Sequence, residues 1–271
     1  MKGYGVDVLL NTQNTVGAVK WNTTLMYNYA ISKTVSYFDE SALRMSTLIG
    51  AGTSITPVIG QPLYAIAAYR WAGLDTLGRP QGFLNGQPSR DYAAIARSAD
   101  EKGLDGGSMV FFGSGIPTSF GSIINSISWK AVTLTLNVSY KLGYYFKYAQ
   151  GYTGILDGGT GDRSYYDRWQ KRGDEAHTSV PAFEYPANGQ SLTFYGQSEI
   201  HILKGDHVRL EYINLTYSIP SGRKKTRDIQ LYANIANLGI IWRANDKKVD
   251  PVSPSGILIP KSYSFGMRAN F

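Results

Sequence analysis

Hydrophobic and polar residues alternate along seven segments of the chain, and this period of two predicts β-strands with one apolar face. In the second segment, Trp21, Leu25 and Tyr27 fall on one face, while Asn22 and Asn28 fall on the other. One face of each strand is therefore suited to an apolar environment and the other to water. The seven predicted strands span Gly3–Asn11, Val19–Ile31, Phe120–Ile127, Val132–Leu142, Glu211–Ile219, Ile229–Leu238 and Tyr263–Phe271.

Short and long connections alternate between these strands. Residues 14–17, 128–131 and 220–228 form the short connections, and residues 32–119, 143–207 and 239–261 form the long ones. Loops this long are unusual in a compact soluble domain, whereas outer-membrane barrels have tight periplasmic turns and large extracellular loops. The pattern predicts an all-β fold, an antiparallel transmembrane β-barrel segment (a partial barrel) with long extracellular loops.

A soluble all-β domain, such as a carbohydrate-binding or hydrolase domain, is the alternative, because a β-sandwich shows the same alternation. The two folds differ in what covers the apolar face. Lipid-facing residues stay exposed on the outside of a curved sheet, whereas sandwich residues are covered by a second sheet. Six residues test this difference: Trp21, Leu25, Tyr27, Leu134, Leu136 and Val138.

Composition narrows the class of protein. The 271 residues include no cysteine, which excludes disulfides and thiolate metal sites, and no run reaches the roughly 18 apolar residues of a membrane helix. The formal net charge is +7, but the basic residues are scattered, so we expect no nucleic-acid partner. Bacterial barrels have an even number of strands, so seven strands predict a fragment of a longer barrel.

Longer sequence motifs carry a resemblance to a known family. In chain order they are QPLYAIAAYRWAGLD, GSGIPTSFGSIINSISWK, YYDRWQKRGDEAHTSVPAF, ILKGDHVRLEYINLTYSI, LYANIANLGIIWRAN and IPKSYSFGMRANF. Together they resemble the C-terminal part of SusC/RagA-like TonB-dependent transporters of Bacteroidota. The resemblance extends over nearly the whole chain, from Gly3 to Phe271, and the motifs keep their order.

The resemblance implies a multi-pass barrel of about 22 strands in the Gram-negative outer membrane, closed by a plug. It implies that residues 1–271 are the C-terminal part of that barrel, without the plug, the TonB-contacting segment or the earlier strands. The implied function is nutrient uptake, namely import of glycan or peptide oligomers with a SusD-like surface lipoprotein, powered by the TonB complex. The terminal strand resembles the signal read by the barrel-assembly machinery, with Tyr263, Phe265, Met267 and Phe271 on one face.

Candidate binding residues are the aromatic side chains of the long connections, because aromatic rings stack on sugars and dominate protein interfaces. No pair of carboxylates is placed for glycoside hydrolysis, and the three histidines lack the spacing of a zinc site. We therefore predict no catalytic residue, metal or cofactor, and a protein that is not an enzyme. A surface adhesin or a structural barrel without transport is a third hypothesis. The predicted substrate or lipoprotein contacts are Tyr69, Trp71, Tyr165, Tyr166 and Trp169.

Overall fold

The structure, a computed structural model, describes residues 1–38, 44–148, 163–219, 228–254 and 258–270. Its strands are β1 (Lys2–Val16), β2 (Val19–Lys33), β3 (Ala65–Tyr69), β4 (Trp71–Leu74), β5 (Pro80–Leu84), β6 (Gln87–Ser89), β7 (Met109–Ser114), β8 (Ser119–Trp129), β9 (Val132–Leu142), β10 (Tyr145–Lys147), β11 (Ile202–Lys204), β12 (His207–Ile219), β13 (Asp228–Arg243) and β14 (Ser262–Asn270). The helices are α1 (Tyr92–Lys102) and α2 (Gly189–Gly196).

The chain forms two compact units. The loop unit comprises Met1–Lys2, Ser32–Ile116 and Tyr144–Lys204, and the sheet unit comprises Gly3–Ile31, Pro117–Gly143 and Gly205–Phe271. Two of the predicted long loops thus fold together into one unit with its own core. The fold is all-β and mostly antiparallel, with few helices.

Within the described residues, the sheet unit is a single seven-stranded sheet with the order β1-β2-β8-β9-β12-β13-β14. All seven predicted strands are present, and each is adjacent to its neighbour in chain order among them. The registered pairs are antiparallel, as between Trp21 and Ile127 or between Leu136 and Ile213. The predicted all-β, antiparallel fold is therefore confirmed.

Several strands run further than the alternation predicted, and β1 and β13 are extended the most. β1 continues to Val16 through the polar segment 11–15, and β13 continues to Arg243. Side-chain hydrogen bonds hold the polar end of β1 to β2, because Thr24 Oγ1 donates to Asn11 Oδ1 at 2.8 Å. Polar pairs across strands thus extend the sheet where apolar alternation stops.

A β-bulge in β12 changes which positions are apolar. The register shifts between Leu210 and Tyr212 against both neighbouring strands, and against β9 the extra residue is Glu211. Before the bulge, Val208 and Leu210 lie in the apolar rows, and after it the odd-numbered residues from Ile213 onwards do. Opposite the bulge, Gly239 adopts a φ of 116°, which favours glycine.

The loop unit holds the buried hydrophobic core of the described residues. β3 pairs with β7, and Ala65 to Ala68 are all completely buried. β3 therefore belongs to a two-stranded sheet that is separate from the seven-stranded one. The core around β3 contains Leu48, Val58, Ala65, Ala67, Ala99 and Met109.

Candidate functional site

One face of the seven-stranded sheet is apolar and not covered by protein. Trp21 and Tyr27 are exposed, and Leu25, Leu134, Leu136 and Val138 are half-buried. None of these six test residues is buried, which is the result expected of a lipid-facing surface and not of a sandwich core. On the terminal strand, Phe265 is 80% exposed, and Tyr263 and Met267 are also exposed.

Registered pairs place these residues in rows that cross the sheet. One row runs from Trp21 through Ile127, Leu134, Leu215 and Ala233 to Phe265. Cross-strand partners point to the same side of a sheet, so the row forms a continuous apolar strip. Phe271, predicted to share this face, lies outside the described residues.

Aromatic residues mark both ends of the apolar face. At the short-turn end, Trp129 pairs with Val132, which also pairs with Tyr217. At the other end, Tyr140 joins the row that holds Tyr27 and Trp242. β9 runs from one aromatic end of the apolar face to the other and has 11 residues, and a transmembrane β-strand needs about 9–11. Outer-membrane barrels have such an apolar band between two aromatic girdles.

Polar residues of β1, β2 and β8 interrupt the apolar face, and they are hydrogen-bonded there. Asn125 Oδ1 accepts from Trp21 Nε1 at 2.9 Å and from Thr23 Oγ1 at 2.7 Å. Asn14 Nδ2 in turn donates to Thr23 Oγ1 at 2.7 Å. Because these groups satisfy one another across three strands, the face can lose contact with water at a reduced cost.

The opposite face of the sheet is polar and carries charge. Arg209 and Asp250 form an ion pair at 2.5 Å, with side chains only 9% and 10% exposed, and Ser139 donates a hydrogen bond to Glu211. Burial alone would raise the pKa of Asp250, but hydrogen bonds from Arg209 and the Val252 N–H lower it overall. This ion pair fastens the segment after β13 to β12, a contact that the sequence did not predict.

In the loop unit, the predicted contacts Tyr69 and Trp71 belong to an aromatic cluster. Phe194 lies at the centre, with ring centroids 5.4 Å from Tyr69, 6.4 Å from Trp71 and 5.2 Å from Tyr92. Burial raises the pKa of the Tyr69 hydroxyl. Gly82 makes room for this cluster, because a Cβ there would lie 2.6 Å from Phe194 Cζ. Packing therefore occupies much of the surface of both predicted residues.

Tyr165 and Tyr166 form a second aromatic group. Tyr165 makes edge contacts with Tyr166 and Phe183, with ring centroids at 5.8 Å and 6.3 Å, and the guanidinium of Arg168 lies 3.9 Å from its ring centre. Tyr166 is 77% exposed, and Phe183 is also exposed. Of the five predicted contacts, Tyr166 thus offers the most surface to a partner.

Trp169 is held from three directions. Its backbone N–H donates to the Val180 carbonyl at 2.9 Å, and its indole N–H donates to Glu175 Oε2 at 2.8 Å. The indole hydrogen bond is the main cause that lowers the pKa of Glu175. The ring also covers Gly78, where a Cβ would lie 2.5 Å from Trp169 Cδ2. Trp169 is therefore a fixed wall of the loop unit.

Asp75 organises the turn that contains Gly78. Its Oδ1 accepts from the backbone N–H groups of Leu77 and Arg79, both at 2.9 Å, and its Oδ2 bonds Arg79 Nε at 2.9 Å. Arg90 Nε lies 3.4 Å from the same Oδ2. Burial acts to raise the pKa of Asp75, but these hydrogen bonds and the Arg79 charge lower it overall.

Two further observations concern groups of residues. Among the residues that the structure describes, no three histidine, cysteine or acidic side chains are placed to hold a metal ion. No helix in the described ranges is both long and apolar enough to cross a membrane.

Sequence reasoning missed Phe183, Phe194 and Arg90. Their contacts are with Tyr165, Tyr69 and Asp75, respectively, and these partners are distant in the chain. The run YYDRWQ offered the only local signal for this region.

Comparisons with known proteins bear on the fold. No family model matches the chain, and no curated protein matches it significantly in sequence. A solved structure of the RagAB peptide transporter is similar over 99% of this chain, with a TM-score of 0.70 and 18% identity. Structures of the RagAB peptide importer in its open-open and closed-closed states are similar with TM-scores of 0.65, at 17% and 18% identity.

The chain spans less than a third of the length of these transporter chains, namely 28% or 29%. At this level of identity, the similarity establishes the fold. The fold resembles part of a transporter, and the similar structures are transporters and not enzymes.

Replacing Gly78 by Ala should displace Trp169. Gly78 and Gly86 both have a left-handed φ, at 75° and 79°, but a Cβ at Gly86 would meet nothing within 4 Å. Gly86→Ala should therefore cost only the backbone strain of about 1–2 kcal/mol. Gly78→Ala should cost about 1–3 kcal/mol more because of the clash with the ring. Denaturant unfolding followed by tryptophan fluorescence measures both, and equal losses would contradict this account of Trp169.

Replacing Asp75 by Asn should release two arginines but keep the turn, because the Asn amide oxygen can still accept both backbone N–H groups. We expect a loss of about 1–2 kcal/mol at neutral pH, the size of a hydrogen bond to a charged group. Asp75→Ala, which also removes the backbone acceptor, should cost about 1 kcal/mol more.

The Asp75→Asn loss should also depend on pH. The pKa of Asp75 is lower in the folded state, so its stabilisation is complete above the unfolded pKa of about 3.9 and disappears as the pH falls through the folded value. Wild type and Asp75→Asn should thus converge in free energy of unfolding in acid. A difference that stays constant from pH 7 to pH 2 would refute this role.

Proposed function

We propose that this chain is part of the barrel of a SusC/RagA-like, TonB-dependent outer-membrane transporter that imports peptide or glycan oligomers with a SusD-like surface lipoprotein. The observation that carries the proposal is the uncovered apolar face of the sheet. Aromatic residues flank the central rows of this face at both ends, and the opposite face of the sheet is polar. Lipid is the solvent that suits the first face, and a wet lumen suits the second.

A soluble carbohydrate-binding or hydrolase domain fits this arrangement less well. Such a domain would have to leave Trp21, Trp129, Phe265 and Met267 in water, each more than a third exposed. Large exposed apolar patches destabilise a soluble monomer or mark a contact surface. The similarity of the fold to transporter chains points the same way.

Among substrates, we place peptides first. The similar structures are of a peptide transporter, whereas a glycan substrate rests only on the family resemblance of the sequence. The lipoprotein partner and the TonB complex follow from the same resemblance. We also propose that the row of Tyr263, Phe265, Met267 and Phe271 serves recognition by the barrel-assembly machinery.

The lipid contact can be tested with single cysteines, because the chain has none of its own. A nitroxide attached to Leu136→Cys should face hydrocarbon, and one attached to Thr135→Cys should face the polar side. Oxygen is enriched in lipid and a nickel chelate in water. In phospholipid vesicles, electron paramagnetic resonance should therefore show high oxygen and low nickel accessibility for Leu136→Cys and higher nickel accessibility for Thr135→Cys.

This experiment separates the two folds that the sequence allowed. If the apolar face were covered by a second sheet, the label at Leu136→Cys would be shielded from both reagents. That result would reject the membrane proposal. The neighbouring position is a matched control, since both residues lie in β9 and both are half-buried.

Transport itself requires a test in cells. We expect a strain of the native host that lacks this protein to lose uptake of a fluorescently labelled peptide mixture, and a protonophore to abolish uptake in the parent strain. A tagged protein should co-purify with one surface lipoprotein. Unchanged uptake in the deletion strain would contradict transport and favour a surface adhesin. If the deletion strain lost uptake of glycans but not of peptides, the proposed substrate would be a glycan instead of a peptide.

A further inference from the structure

A cavity of about 310 Å³ opens beside Trp169 in the loop unit. Its volume lies at the lower end of the range of about 300–1,000 Å³ for small-molecule sites. The walls come from the turn after β4, from Trp169 and from the segment that leads into α2. Most of the lining is apolar: Leu77, Pro80, Trp169, Pro181, Phe183 and Leu192.

Trp169 presents only apolar surface to this cavity. Its indole N–H already donates to Glu175, and one side of the ring is stacked on Gly78. A ligand in the cavity would therefore meet no polar group from the tryptophan. The cavity suits a hydrocarbon or aromatic group, because a hydroxyl buried there without a partner would be costly.

Polar groups are concentrated at one rim. Arg79, Glu184, Asn188 and Ser191 line the cavity and also a neighbouring polar depression of about 550 Å³. Arg90 lines the depression only. An apolar pocket thus opens directly beside a strip of hydrogen-bonding groups.

Both signs of charge are available along this strip. The carboxylate of Asp75 is shared by Arg79 and Arg90, so one negative charge balances two guanidiniums. Glu184 is exposed and makes no hydrogen bond or ion pair with any residue that the structure describes. A ligand with a carboxylate and an ammonium group can complement the two arginines and the free glutamate.

We propose that this site binds a short peptide, with one apolar side chain inserted into the cavity beside Trp169 and the backbone along the polar rim. The assignment rests on the proposed function for its substrate class and adds the residues that select the peptide. A peptide combines an apolar side chain, backbone donors and acceptors, and two terminal charges. A glycan carries hydroxyls on every ring, and the apolar walls could not satisfy them.

The first test uses the full chain in detergent micelles and defined peptides. Isothermal titration should show Gly-Phe-Gly binding at least tenfold more tightly than Gly-Gly-Gly, because only the first can bury an aromatic side chain. Maltotriose is the glycan probe and should bind no more tightly than Gly-Gly-Gly. This comparison needs no variant, so it does not depend on a substituted protein folding.

Variants then locate the site. Ala187 is an exposed residue of the rim, so Ala187→Phe should fill the cavity without disturbing the core and weaken Gly-Phe-Gly binding at least tenfold. Ala93→Phe is the matched control, since Ala93 is equally an exposed alanine but lines a different depression. Its binding should stay within about twofold of wild type. Glu184→Gln should weaken binding of Gly-Phe-Gly and leave N-acetyl-Gly-Phe-Gly unchanged.

The outcomes separate this inference from the transport proposal. If cells import peptides but Ala187→Phe binds Gly-Phe-Gly as wild type does, the cavity assignment is overturned and transport stands. If wild type binds maltotriose and neither tripeptide, the peptide class is overturned at this site. If Gly-Phe-Gly binds at the cavity in a protein that cells do not use for uptake, the site is supported and the transport proposal fails.

Discussion

Backbone hydrogen bonding between seven antiparallel strands is the constraint on which the sheet unit depends. Every strand pairs with its neighbour in chain order, so the N–H and C=O groups between strands are satisfied within the sheet. Between the two edge strands β1 and β14, this pairing allows an apolar face to remain uncovered by protein, because the backbone groups there are paired and only side chains meet the surrounding medium. Polar residues that do occur on this face, such as Asn14, Thr23 and Asn125, are linked by hydrogen bonds.

The loop unit is stabilised by a different principle, namely aromatic rings packed on glycine and on one another. Trp169 covers Gly78, and Phe194 covers Gly82, at distances that a side chain at either glycine would not allow. The hydrogen bonds of Asp75 then fix the turn that carries Gly78. Because these contacts hold Trp169 rigidly, the cavity beside it exists before any ligand binds, and binding need not order its wall.

The two units divide the proposed work of the protein. The sheet unit provides a surface for lipid and a polar opposite face. Some charged residues of the polar face form structural contacts, such as the Arg209–Asp250 ion pair. The loop unit provides aromatic and charged groups suited to recognition. Of the predicted contacts, Tyr166 is mostly exposed, whereas the rings of Tyr69 and Trp71 pack against Phe194. In the proposed function, recognition and membrane insertion therefore depend on different residues.

The sequence by itself determined the seven strands and their apolar faces, because a period of two is a local property that each strand carries on its own. It also singled out Trp169 as a candidate contact, which stays a prediction. Only the tertiary structure decided that residues 32–116 and 144–204 form one folded unit, that residues 65–68 lie in its core, and that Glu211 is a bulge against β9. It alone placed Arg79, Arg90 and Glu184 around one cavity. These features depend on contacts between residues far apart in the chain, and no local pattern records such contacts.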